Sequence, residues 1–323
     1  MAQTGLRERI GGRVLITGGT GFIGSALAER LLDAGVGVDV LTRDRERALK
    51  QLCGRVRAVE HPDEVVSDRD RELPVAIVNL AGKNLGEERW DESVRQEIVD
   101  SRVEVTRALV SYIGGLPADR RPRVLVSGSA IGYYGARGEE ELDEDAEPGA
   151  EFQSRVCIRW ESAAETAREY GVRVCLSRTG VVLGRDGGML SGLTPLFRKG
   201  LGATVGSGRQ WISWIHRQDL VELLIDQMTD DALAGPFNNT APEPVRHEQF
   251  TQTLAAALNR PLLLRIPAPV YRLIAGGIAD MHLTGQKVLP VRNLERGFEY
   301  RYAELRPALE AALGGQGAGR ASG

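Results

Sequence analysis

The sequence predicts an α/β fold: a doubly wound parallel sheet with a small C-terminal region on its substrate side. Three observations lead there. Short β-rich runs alternate with helix-period stretches up to about residue 183, the first run enters its helix through glycines at 18, 21 and 24, and the alternation then loosens into shorter segments.

The first strand ends V-L-I-T at Thr17, and residues 25–32 follow with helical period. Between them Gly18 permits a tight turn, Gly21 lets a pyrophosphate approach the backbone, and Gly24 lets the helix pack on the strand. The amide-rich N-terminus of that helix is suited to phosphate. A strand over 36–42 and a helix over 45–52 complete a βαβ unit, and 56–59 forms a short third strand before a polar loop, 60–73, broken by Pro62. The fourth strand, 75–80, ends in Ala81-Gly82. A long helix over 93–113 presents Val94, Ile98, Val103, Leu109 and Val110 on one face.

The fifth strand covers 124–126 and passes into a small-residue turn, Ser127-Gly128-Ser129-Ala130, and an aromatic loop, Gly132-Tyr133-Tyr134-Gly135. An acidic, solvated run over 139–147 leads to a helix at 152–170 and a sixth strand at 172–176. Helices at 219–228 and 247–258 and shorter segments at 195–199, 211–215, 237–240, 262–266, 268–278 and 284–290 remain. Residues 13–183 are thus expected to form a nucleotide-binding domain to which 211–240 returns, 184–313 mainly a cap, and 314–323 a glycine-rich disordered tail.

A net charge of -3 and pI near 6.0 provide no basic field for nucleic acid. No apolar run is long enough to span a bilayer, which argues against a membrane protein. Three cysteines without metal-ligand spacing, and no apolar signal stretch ahead of Val14, point to the cytoplasm. His61, His247 and His282 are too scattered for a metal site.

Four motifs then stand together: Thr17-Gly18-Gly19-Thr20-Gly21-Phe22-Ile23-Gly24, Asn79-Leu80-Ala81-Gly82, Arg178-Thr179-Gly180-Val181-Val182-Leu183-Gly184 and Trp214-Ile215-His216. With Gly206-Ser207-Gly208-Arg209-Gln210-Trp211 and Gly285-Gln286-Lys287-Val288-Leu289-Pro290, the chain resembles the atypical extended short-chain dehydrogenase/reductases of the nucleoside-diphosphate-sugar epimerase branch. The resemblance implies a Rossmann domain holding a nicotinamide dinucleotide. It places Gly18, Thr20, Gly21, Phe22 and Ile23 at the pyrophosphate, Thr42 and Arg43 at the adenosine ribose, and Leu80, Ala81 and Gly82 along the path from adenine to ribose. It also brings Glu97 and Arg102 to the cofactor and Val182 to the nicotinamide end.

At the end of the second strand a carboxylate would bind the ribose hydroxyls of NAD and repel an added phosphate. Thr42 and Arg43 stand there instead, with Arg45 and Arg47 nearby and Asp44 one step further on, so the expected cofactor is NADP(H).

The usual Tyr-x-x-x-Lys pair of such enzymes, in which the ammonium lowers the phenol pKa, is absent. None of the seven tyrosines has Lys at the fourth following position, and Val156 and Trp160 occupy the expected places. Ser129 could polarise a substrate carbonyl and Tyr133 or Tyr134 could supply a proton, although both tyrosines equally suit packing over the cofactor. Cys157 reads as inert core, Glu161 as a surface or ion-pair residue and His216 as a loop stabiliser. Two functions follow: an NADP(H)-dependent oxidoreductase or epimerase-like enzyme acting on a small molecule, possibly a nucleotide-linked one, or a non-catalytic NADP(H)-binding sensor or partner protein. A homodimer would form through the helices over 93–113 and 152–170.

Overall fold

Seven parallel strands form the central layer of the protein, whose computed structural model describes residues 5–65, 72–83 and 91–314. They are β1 (Arg13–Thr17), β2 (Val38–Leu41), β3 (Arg57–Val59), β4 (Pro74–Asn79), β5 (Val124–Ala130), β6 (Arg173–Thr179) and β7 (Gly235–Asn239). Their spatial order is 7-6-5-4-1-2-3. The direction of winding reverses between β1 and β4, so a crevice opens at the carboxyl ends of these two strands, where open α/β sheets take their ligands.

Both faces of the sheet are covered, and this is why its strands read as nearly continuous apolar runs. Val14 and Ile16 of β1 face one side, where they join Leu27, Ala28 and Leu31 of α1 (Phe22–Asp33). Leu15 faces the other, with Leu109, Val110 and Ile113 of α3 (Glu92–Gly115) and Ala164 of α4 (Phe152–Glu165). The short α2 (Arg45–Gln51) lies between β2 and β3 in the chain. After β6 the chain forms α5 (Gly188–Arg198) and α6 (Arg217–Thr229) before β7 pairs with β6, so part of the late sequence lies in the central sheet.

The remaining segments build a separate cluster around Phe197, Trp214, Phe250 and Leu309, which includes α7 (His247–Ala257) and α9 (Leu305–Leu313). Between these helices lies α8 (Ala268–Ala275). Short parallel pairs tie this region to the sheet domain, Trp214–His216 against Val181–Leu183 and Lys287–Val288 against Glu141–Leu142. Residues 315–323 of the expected tail lie outside the described residues.

Two expectations need correction. Ser127-Gly128-Ser129-Ala130 is strand, not turn: β5 is central, and Gly128 and Ser129 register against Ser177 and Arg178 of β6. Pairing on the sheet outweighs the turn preference of small residues. The helix expected over 152–170 changes to a 3-10 helix at Thr166–Tyr170.

On α3 and α4 the outward positions are polar, with Gln96, Asp100, Glu104, Arg155, Arg159 and Ser162 among them. Their apolar stripe, Val94, Ile98, Val103 and Val156, is partly covered by the chain's own Ile278 and Met281. Among the described residues no helix is long and apolar enough to cross a membrane.

At the opposite edge of the sheet, fully buried Asp39 on β2 accepts from Arg13 Nε of β1 and from Arg57 Nε of β3, each at 2.9 Å. Removing one partner of a buried ion pair typically costs about 3–5 kcal/mol because the other charge stays behind. Here both guanidiniums reach solvent, so Asp39→Ala should destabilise by about 3 kcal/mol. A urea midpoint lowered at constant m-value would show it, and an unchanged midpoint would contradict it.

Candidate functional site

At the crevice three stretches of backbone meet. Gly18 has a φ of +67°, and a Cβ on it would lie 2.7 Å from Leu80 O. A Cβ on Gly24 would overlap Gly18 O, so α1 can approach β1 this closely only without side chains. Gly21 is the N-cap of the 12-residue α1 and provides no side-chain acceptor, leaving the first amides of the helix available to an anion. Beneath the turn, Thr17 Oγ1 donates to Asn79 Oδ1 at 2.7 Å and accepts from Ala81 N at 3.1 Å, while Asn79 Nδ2 donates to Thr106 Oγ1 at 2.7 Å. This buried chain sets the exit path of Leu80, Ala81 and Gly82. Gln51 Nε2 holds Thr20 O at 3.2 Å. Phe22 packs beneath Gly184 and Gly188, with the Arg217 guanidinium 4.8 Å from its ring centre, and Ile23 packs against the core.

The end of β2 sorts its charges by partner. Asp44 turns back to cap α2, accepting from Arg47 N at 2.9 Å, and its own amide donates to Thr42 Oγ1 at 3.2 Å. Arg45 pairs with Glu64 at 2.7 Å. Arg43 and Arg47 are exposed and have no carboxylate partner among the described residues. The carboxylate that would favour NAD is therefore engaged as a helix cap.

Arg102 lies against the exit of β4. Its guanidinium donates to Lys83 O at 3.1 Å and Ile98 O at 3.0 Å, and a Cβ on Gly82 would lie 2.9 Å from its central carbon. Glu97 instead pairs with Lys83 at 2.5 Å. Val182 sits half-buried in the short strand paired with Trp214–His216.

At the end of β5 and just beyond it the expected hydroxyl cluster separates by environment. Ser129 donates to Glu161 Oε1 at 2.5 Å, so its oxygen is left as an acceptor rather than a donor to a carbonyl. Glu161 of α4 also receives Arg178 Nε and Nη2, both at 2.9 Å, and the two residues are only 6% and 4% exposed. Tyr134 is fully enclosed: its hydroxyl donates to Asn238 Oδ1 at 2.6 Å and accepts from Arg178 Nη1 at 3.0 Å. Burial pushes its pKa up to about 12, against the lowering effect of Arg178. That enclosure leaves Tyr134 no path to a substrate, contrary to the expectation from sequence. Tyr133 remains half-buried, with the Arg178 guanidinium 3.5 Å from its ring centre, and burial raises its pKa as well. Cys157 is enclosed, and burial raises its thiol to about 11.

Glu161, Arg178 and Asn238 form a connected set that the sequence signals only faintly: Arg178 is a charge inside an apolar strand, and Glu161 lies one turn beyond Cys157 on the inner face of its helix.

A seven-stranded parallel sheet with a glycine turn after β1 and hydroxyls at the end of β5 and in the loop after it defines a dinucleotide-binding fold of the extended short-chain dehydrogenase/reductase type. The chain belongs to the NAD dependent epimerase/dehydratase family, which it matches over residues 14–238, and residues 266–312 match a domain of unknown function, DUF1731. It is 40% identical to the chloroplastic SDR39U1 homolog of Arabidopsis thaliana, an epimerase family protein, over 93% of this chain and 86% of that one. The crystal structure of human epimerase family protein SDR39U1 with NADPH is 34% identical, with a TM-score of 0.82, covering 93% of this chain and 98% of that one. UDP-glucose 4-epimerase of Thermotoga maritima, at 18% identity and a TM-score of 0.73 over 93% and 97% of the two chains, shares the fold.

His216 caps α6, accepting from Gln218 N at 3.3 Å, and its ring centre lies 4.0 Å from that of Tyr302. Burial, assisted by Arg217 and Arg301, lowers its pKa to about 4. The unfolded chain therefore takes up the proton first as pH falls, so stability from this neutral imidazole is complete above about 6.5 and declines toward pH 4. Denaturant titrations at pH 7 and 4.5 should show the loss, to which the buried His247 contributes in the same sense, and His216→Asn, which keeps a capping side chain, should lessen it. An equally steep loss in the variant would remove His216 from the cause.

Proposed function

We propose that the chain binds NADP(H) and is an oxidoreductase or epimerase-like enzyme acting on a small molecule that carries a hydroxyl or carbonyl group, nucleotide-linked sugars included. The single observation that carries the reading is the joint arrangement of a backbone cradle with free helix amides and a β2 terminus whose carboxylate is withdrawn while Arg43 has no carboxylate partner among the described residues. The residues fit the group. A Cβ would fill the cradle at Gly18 or Gly24, and negative charge is favoured at the α1 N-terminus. The NADPH in the human relative supports the same choice.

In this reading Gly18, Thr20 and Gly21 hold the diphosphate, Thr42 and Arg43 the phosphorylated ribose, and Leu80, Ala81 and Gly82 line the adjoining edge. When bound, the nicotinamide supplies or accepts hydride. Val182 flanks that end. The neutral Tyr133 phenol gives its proton to a substrate oxygen, and Arg178 holds the ring in place. Ser129, its own proton directed to Glu161, accepts from a substrate hydroxyl.

The absence of the Tyr-x-x-x-Lys pair favours a second reading, a non-catalytic NADP(H)-binding sensor. NADPH turnover over a panel of carbonyl compounds and sugar nucleotides separates the two: binding without turnover across the panel supports the sensor.

Arg43→Ala should weaken NADPH binding by about tenfold or more and NADH binding little, since a hydrogen bond to a charged group contributes about 1.5–3 kcal/mol. Equal losses in a calorimetric titration would sink the assignment. Once a substrate is in hand, Tyr133→Phe should reduce kcat about a hundredfold, the lower end for loss of a general acid. Undiminished turnover would leave water as the proton source.

A further inference from the structure

Trp160 stands on α4 with its benzo edge against β5: a Cβ on Gly128 would lie 2.8 Å from the ring. The residue is 7% exposed, yet its indole N–H has no acceptor among the described residues. Such an orphan is unusual, because nearly all buried donors find partners. Arg102 lies 5.4 Å from the centre of the same ring, and its half-buried guanidinium has no carboxylate partner among the described residues. Burial lowers its pKa, as expected of a cation removed from water without a counter-charge. Gly82 and Gly128, near the carboxyl ends of β4 and β5, are the positions where a side chain would displace these two groups.

An unpaired donor and an unneutralised cation therefore lie together beside the carboxyl ends of β4 and β5. We infer that Trp160, with Arg102 alongside, seats the ribose–phosphate portion of the dinucleotide, its indole N–H donating to an oxygen of that segment. The inference rests on the NADP(H) reading. It gives the helix position expected to hold lysine a binding role without a titrating group: an indole can orient an oxygen but cannot bring an ammonium to a phenol.

Trp160→Phe keeps an aromatic face for Arg102 and deletes the N–H. Its NADPH affinity, by titration calorimetry, should fall about three- to tenfold, the range for one lost hydrogen bond. Its fold without cofactor should be retained, with the melting temperature lowered only by the packing that the smaller ring gives up. Unchanged affinity would overturn the inference. A separate measurement requires no variant: adding NADPH to the 15N-labelled protein should shift the Trp160 indole resonance and slow its exchange with solvent, and an unmoved resonance would overturn it. Arg102→Gln should weaken NADPH binding and lessen its salt dependence, and an unaltered salt slope would remove Arg102 from the seat. If the unaltered protein shows no NADPH affinity, the cofactor reading falls and takes this inference with it. NADPH binding that is indifferent to Trp160 sinks the inference alone.

Discussion

The buried pair of Glu161 and Arg178 couples more of this molecule than any other side-chain contact described. An ion pair removed from water stabilises little unless its remaining donors and acceptors are satisfied. Here they are. Ser129 on β5 supplies a third hydrogen bond to the carboxylate, and Arg178 reaches Tyr134 and Glu144 O with the nitrogen not bound to Glu161. Tyr134 continues to Asn238 on β7, whose amide nitrogen is held by Glu144. One helix, three strands and the loop after β5 are thus registered to each other at the end of the sheet where chemistry would occur. The same guanidinium fixes the face of Tyr133, so the orientation of the candidate acid depends on a charge pair that never meets substrate.

Across the crevice the governing constraint is the absence of side chains. Gly18 and Gly24 bring the α1 amides, the end of β1 and the exit of β4 together, and the Thr17–Asn79–Thr106 chain holds that approach from below. Charge selectivity is added by diversion. Asp44 would oppose a phosphate if it faced the ribose, and helix capping turns it away, while Glu64 occupies Arg45 and Arg43 has no carboxylate partner among the described residues.

Legibility in the sequence followed the range of the interaction. The glycine turn, the alternating strands and the Arg43 end of β2 are local patterns, and they appear in the structure where reading placed them. Ser129 has the local signature of a turn because its neighbours are small, and only pairing with β6, some fifty residues later, makes it strand. Tyr133 and Tyr134 are indistinguishable in sequence. Their difference arises from Asn238, which lies 104 residues beyond Tyr134 and encloses that hydroxyl alone. Glu161 looked like an ordinary helix-surface acid until Arg178 arrived from a strand of the sheet.

These protonation states also bear on the direction of chemistry. Burial raises Tyr133, Tyr134 and Cys157 above their ordinary values, and none has a lysine ammonium to reverse the effect. A phenol so placed is a competent donor near neutrality and a poor base. Ser129 is oriented by Glu161 to receive a hydrogen bond, which suits the hydroxyl left after a carbonyl is reduced. His216 lies buried and neutral against Tyr302, engaged as a helix cap. The groups at this end can therefore give a proton and hold the product hydroxyl more readily than they can remove a proton from an alcohol, and NADPH is the form of cofactor that such an arrangement would consume.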